Sequence, residues 1–247
     1  MFDYHLLYLL PIVFLAYFCK ATTGFGAAII LLPLGSLVIG PIPALMLATL
    51  LDVIGGVALL RIDSTRDSWR LWLPLGVAMM LGAGIGGLLL KFVALRNIDY
   101  FLGVTLFIVG VWLIFFRLRQ RAAVESAILP DSYTGKDLAV CLLAGTSGGL
   151  TGVSGPPLMY YFGKKFAKES LRKILTRIFL AEAMARVATY IVVGVAQPGI
   201  ILLGLLATPF LYLGLYAGNH VFFRIPEIWF SRVAGVVVIA SALKLMW

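Results

Sequence analysis

The chain has 247 residues, of which 62% are hydrophobic and only 13% charged, and its mean hydropathy is +1.03. That composition excludes an ordinary water-soluble globular domain and identifies a polytopic membrane protein. The net charge of +9 does not signal a nucleic-acid partner, because the basic residues fall in short loops between apolar stretches and not along one polar face.

The opening residues, Met1-Phe2-Asp3-Tyr4-His5, have no basic segment ahead of the apolar stretch, so the sequence predicts a retained membrane element and not a cleaved signal peptide. Leu6 to Leu37 is apolar but interrupted at Thr22-Thr23-Gly24-Phe25-Gly26 and again at Pro33. The pattern predicts a helix, a Gly-rich break and a half-helix. Three uninterrupted stretches follow, Pro43 to Leu60, Leu71 to Leu90 and Ile98 to Phe116, each long enough to cross a hydrocarbon core of about 30 Å. A basic linker, residues 117–136, then carries Pro130-Asp131-Ser132.

The second part repeats this order. Leu138 to Phe162 is apolar and broken at Thr151-Gly152-Val153-Ser154-Gly155-Pro156-Pro157, and three further spans follow at Ile174 to Val195, Ile200 to Asn219 and Glu227 to Met246. The two breaks lie 128 positions apart, counted from Gly24 to Gly152, and Gly82-Ala83-Gly84-Ile85-Gly86-Gly87 has a weaker counterpart in Gly214-Leu215-Tyr216-Ala217-Gly218-Asn219. We read residues 1–116 and 137–247 as two repeats.

Loop charge orients them. Arg61, Arg66 and Arg70 fill one loop, Arg117, Arg119, Arg121 and Lys136 another, and Lys164, Lys165, Lys168, Arg172 and Lys173 a third, which predicts these three to be cytoplasmic. The opposite loops, Gly40-Pro41-Ile42 and Ala196-Gln197-Pro198-Gly199, are uncharged, and Lys91 and Arg96 are the basic residues of the remaining one. Three spans per half is an odd number, so the halves are expected in inverted topology with both termini outside. Whether the broken pairs cross or re-enter stays open at this level.

The segments ATTGFGAAIILLP and GGLTGVSGPPLMYYF, with GAGIGGLLL between them, resemble the sulfite exporter TauE/SafE family over essentially the whole chain. The resemblance implies an inner-membrane permease for small sulfur-containing or organic anions such as sulfite, sulfoacetate or thiosulfate. Ala27 and Ala28 stand where members of the family often have glycine, and Lys20 ahead of the first motif is a further departure.

The site chemistry follows from the residues themselves. Backbone that is not helical is tolerated at membrane depth only where protein or a polar cavity surrounds it, so two broken segments point to a binding site between them. An oxyanion there exchanges its water shell for directed donors, and the N-terminus of a half-helix supplies free amides with partial positive charge. The candidate binding residues are Lys20, Thr22, Thr23, Gly24, Phe25, Gly26, Thr151, Gly152, Ser154, Gly155, Pro156 and Arg177. Ser154 reads as an N-cap with Pro156 in the first turn. Five ionisable groups lie at membrane depth, where such groups are functional by default. Glu182 and Arg186, four apart, are expected to pair, and Arg177 is expected to reach the anion. Asp52 is the natural proton carrier, or else the neutraliser of Lys20 or an arginine.

Cys19 and Cys141 sit in apolar surroundings and form no disulfide framework, His5 and His220 give no metal-ligand spacing, and no nucleotide-binding loop is present. No cofactor is expected and the protein is not expected to be an enzyme; a membrane-embedded thiol enzyme is the remote alternative. Trp69, Trp72, Trp229 and Trp247 read as interfacial anchors. The sequence thus predicts a secondary transporter for sulfite or an organosulfonate in a bacterial inner membrane, with a gated anion channel as the alternative. The anion, the lipid bilayer and a second copy of the chain are its candidate partners.

Overall fold

The computed structural model describes residues 3–23, 26–62, 69–92, 98–115, 133–166, 168–221 and 227–247. Gly24, Phe25 and most of the predicted linker, including Pro130-Asp131-Ser132, lie outside them, as do the side chains of His5, Thr23, Trp69 and Trp229.

Among the described residues the protein is all helical. The chain order is α1 (Asp3–Thr23), α2 (Ala27–Ile39), α3 (Pro41–Ile62), α4 (Leu73–Leu89), α5 (Ile98–Phe115), α6 (Gly135–Thr151), α7 (Gly155–Phe162), α8 (Lys168–Val193), α9 (Pro198–Val221) and α10 (Glu227–Met246). Proline sits at the first or second position of α3, α4 and α9, where its missing N–H costs nothing. At α6 a capping box closes the N-terminus: Asp137 N–H donates to the Thr134 hydroxyl, and the Asp137 carboxylate accepts from the Thr134 amide. Helices α3, α4 and α9 are long and apolar enough to cross a membrane by length and composition. α8 has the length, at 26 residues, but Arg172, Lys173, Arg177, Glu182 and Arg186 make it polar for a spanning helix.

Glycines set how the helices pack. On α4, a Cβ at Gly82 would overlap the carbonyl oxygen of Leu142, and one at Gly86 that of Thr146; Gly145 and Gly149 of α6 face Met79 and Ala83 in the same way. Small residues thus let α4 and α6 run backbone to backbone, as they do where membrane helices meet. The numbering rises together on both, so the two helices are parallel. The same relation joins α9 to α1, with Gly214 against Phe14 and Gly218 against Phe18. Helices α5 and α10 are antiparallel, Gly103 meeting Met246 and Gly110 meeting Ile239.

Helix direction shows how the broken pairs run. α4 is also parallel to α8, because Gly76 lies near Ala181 and Gly87 near Thr189, so α6 and α8 point the same way and α7 runs back between them. Lys165, just past α7, accordingly reaches Asp137 at the start of α6. In the first pair, α2 returns along α1, and Gly35 near its end faces Leu9 near the beginning of α1. Both broken pairs therefore turn back on themselves.

Candidate functional site

The turn-backs bring two helix breaks together at the centre of the molecule. Gly26 adopts φ 99° at the start of α2 and Gly152 φ 76° at the end of α6, left-handed conformations that a side chain strains. With them, the last turn of α1, the middle of α3 and the middle of α8 enclose a small cavity, about 30 Å³ of space for the centre of a water molecule. A single water needs roughly 10–15 Å³ by this measure, so the cavity suits a few waters or one small ion. Its charged walls are Lys20, Asp52, Glu182 and Arg186, and its backbone walls are Gly26 to Ile29 and Gly152 to Gly155.

All four charged residues are buried, Glu182 completely. Lys20 Nζ donates to Asp52 Oδ1 at 2.6 Å and Arg186 Nη2 to Asp52 Oδ2 at 2.9 Å, so one carboxylate from α3 holds a cation from α1 and another from α8. The Tyr17 hydroxyl adds a 3.4 Å contact to Asp52 Oδ1. Arg186 Nη1 also donates to the Gly152 carbonyl at 3.3 Å, tying α8 to the second break. Arg186 Nε lies 3.6 Å from Glu182 Oε1, within ion-pair reach but beyond a hydrogen bond, and neither atom has another hydrogen-bond partner. The expected Glu182–Arg186 contact is therefore present but loose.

The two half-helices present different termini. No side chain caps α2, and its first residues Ala27, Ala28 and Ile29 line the cavity while buried, so the N-terminal end of α2, where helix amides lack partners within the helix, borders the cavity. At α7, Pro156 and Pro157 have no N–H to offer. Ser154 occupies the N-cap position, yet its hydroxyl makes no cap bond and donates instead to Glu182 Oε2 at 2.7 Å. As an N-cap the hydroxyl oxygen would accept from a backbone amide; here the hydroxyl acts as a donor to a charged acceptor, the stronger kind of bond, and that contact sets its direction.

Of the remaining sequence candidates, Thr22 and Thr151 spend their hydroxyls on carbonyls of their own helices, Cys19 O at 2.9 Å and Ser147 O at 2.8 Å. Gly24, Phe25 and the Thr23 side chain fall outside the described residues. Pro156 is buried behind Gly155 but is not a cavity wall. Arg177 does not line the cavity either; it is half-buried and donates to the Lys173 carbonyl at 3.3 Å. The reason is helical phase. At about 100° per residue, nine residues place Arg177 about 180° around α8 from Arg186. Sequence reading missed Phe179, a cavity wall seven residues before Arg186 and so on its face.

Cys19 and Cys141 are buried, form no disulfide among the described residues, and neither lines the cavity. His220 is exposed and within 2.9 Å of the Tyr216 carbonyl. Among the described residues no cluster of His, Cys, Asp or Glu could hold a metal ion. Trp72 packs against the core and Trp247 is exposed.

No curated protein and no solved structure matches the chain. Comparison with known families matches residues 9–245 to the sulfite exporter TauE/SafE family, nearly the full length, and both helix breaks with their buried charges lie inside that match. An apolar, helical chain of this kind is an integral membrane protein, and it belongs to the sulfite exporter TauE/SafE family.

Proposed function

We propose that the protein is a secondary transporter that carries a small sulfur-containing anion, sulfite or an organosulfonate, across a bacterial inner membrane by alternating access. One observation carries this reading: a small cavity, lined mostly by buried residues, at the meeting point of two helix breaks and walled by the uncapped start of α2 and by the cations Lys20 and Arg186. An oxyanion in it would accept hydrogen bonds from the leading amides of α2 and from Arg186, whose fork geometry matches a planar or pyramidal oxyanion. The cavity favours sulfite over a longer sulfonate in the conformation described, because its volume accommodates little more than a few water molecules.

The packing supports an inverted repeat. Exchanging α1–α5 for α6–α10 carries the α4·α6 contact onto α9·α1, and carries α3·α8 and α5·α10 onto themselves. The parallel and antiparallel senses agree with that exchange, and the basic loops agree with a cytoplasmic linker and two outer termini. Thr22, Thr151 and Arg177, with their hydrogen bonds directed to helix carbonyls, play supporting roles in this reading. Lys20, Gly26, Gly152, Ser154, Gly155 and Arg186 form the site.

The test is counterflow of labelled sulfite into vesicles reconstituted with the purified protein. Saturable uptake that is accelerated by sulfite on the far side is expected. Flux that neither saturates nor exchanges would identify a channel, and no sulfite flux beside rapid flux of a carboxylate would overturn the substrate class.

A further inference from the structure

Two buried carboxylates face the same cavity, and their surroundings differ. Asp52 has both oxygens engaged, one by the Lys20 ammonium at 2.6 Å and one by the Arg186 guanidinium at 2.9 Å, with Tyr17 alongside. Protonating it would break a bridge between two buried cations. Glu182 is bonded through one oxygen alone, by Ser154 Oγ at 2.7 Å, and its Oε1 has no donor within hydrogen-bond reach. A free lone pair on a fully buried carboxylate that lines a cavity is a vacant position for a proton.

We infer that Glu182 is the proton-carrying group of the transport cycle, loaded together with the anion, while Asp52 stays ionised as the counter-ion that holds Lys20 and Arg186 in place. This inference rests on the transporter reading above. Of the two roles that the sequence leaves open for Asp52, proton carrier or neutraliser of Lys20 or an arginine, this inference takes the second.

The charge of the site gives the sense of the coupling. The ionisable groups facing Glu182 are Arg186 and Tyr190 on its own helix, Asp52 on α3, and Lys20 with Tyr17 on α1; Ser154 faces it from the second break, and α6 presents the bare Gly148. With both carboxylates ionised, Lys20 and Arg186 are balanced and the site is neutral. An arriving anion then meets the Glu182 carboxylate at close range in a water-poor space, where like charges repel strongly. A solvent proton on Oε1 leaves one net positive charge for the anion. Proton and anion therefore help each other bind, and by linkage each raises the affinity for the other equally. The transported unit is anion plus proton, moving in the same direction.

Vesicles reconstituted with the full-length protein and loaded with a pH-sensitive dye test this with sulfite as the probe. Wild type is expected to carry protons with sulfite and to bind sulfite about tenfold more tightly at about pH 6 than at about pH 8, within the usual span of coupling between sites. Glu182→Gln is expected to bind sulfite with an affinity that no longer changes between about pH 6 and about pH 8, and to move no protons with the sulfite that it carries. Sulfite itself titrates near neutrality, so the decisive quantity is the difference between variant and wild type at each pH. Proton movement with sulfite that survives in Glu182→Gln, or wild-type counterflow without protons, overturns the coupling role alone. Absence of wild-type sulfite flux overturns the transporter reading and the coupling with it. Should Glu182→Gln fail to fold, Ser154→Ala leaves the carboxyl in place and removes its hydrogen bond; a shifted pH profile is expected, and an unchanged one overturns the inference.

Discussion

Gly148 of α6 leaves room for Glu182 of α8: a Cβ built on Gly148 would overlap Glu182 Oε1 and come within 2.8 Å of the Ser154 Cβ. The carboxylate is thus seated against bare backbone. Gly148→Ala is expected to displace the end of the Glu182 side chain at modest cost, about 1–3 kcal/mol for overpacking, while altering the pH dependence of transport far more than stability. Thermal unfolding and sulfite counterflow at two pH values, measured on one preparation, check both halves of this expectation.

Arg186 bridges Asp52, Glu182 and the Gly152 carbonyl. Removing it leaves two buried carboxylates without their shared cation, so Arg186→Ala is expected to destabilise by about 3–5 kcal/mol and to abolish transport. Arg186→Lys keeps a charge but loses the fork that reaches Asp52 and Gly152 together, and should recover folding better than flux. Equal recovery of both would show that the geometry of the fork is unimportant.

Arg177 is the control. It stands on the far side of α8 from the cavity, so Arg177→Ala is expected to leave the affinity for sulfite within about threefold of wild type, the scale of a substitution away from a site. Loss of binding comparable to that of Arg186→Ala would return Arg177 to the site.

Close helix packing makes its own prediction. At Gly86 any Cβ overlaps the Thr146 carbonyl, whereas nothing lies within 4 Å of a Cβ at Gly84 on the same helix. Gly86→Val should therefore force α4 from α6 and cost at least about 1–3 kcal/mol, while Gly84→Ala should be neutral or slightly stabilising. The difference in melting temperature between the two variants reads this directly.

At Gly152, φ is 76° and a Cβ would stand 2.7 Å from Leu45 Cδ1. Gly152→Ala combines a left-handed backbone penalty of about 1–2 kcal/mol with that clash. It is expected to lower both stability and sulfite affinity, because the carbonyl of Gly152 is a partner of Arg186. Unaltered affinity would separate the break from the site.

The breaks and most helix limits were legible in the sequence because glycine, proline and apolar length act locally: α10 was expected at Glu227 to Met246 and occupies it, and α5 differs by one residue. Lys20, Asp52 and Arg186 were legible as costly charges at membrane depth, but not their arrangement, since Asp52 and Arg186 lie 134 positions apart. The placement of Arg177 was within reach, because helical phase alone sets it opposite Arg186. Ser154 was read as a cap because the motif fits one; that Glu182 takes its hydroxyl depends on a contact 28 residues away.

The partnership of α4 with α6 and of α9 with α1 means that the packing of the helices does not follow chain order. Helices α4, α6, α7 and α8 form one packed group and α1, α2, α3 and α9 another, the two joined through α3 and α8, and each takes one helix from the opposite half. Lys20 and Asp52 belong to one unit and Glu182, Ser154 and Arg186 to the other, so the Arg186–Asp52 contact is the ion pair of the site that spans the seam. In the alternating-access mechanism proposed above, opening the cavity to either side of the membrane would part that contact. The two halves, made as separate polypeptides, would have to interlock before either could move as a transporter does.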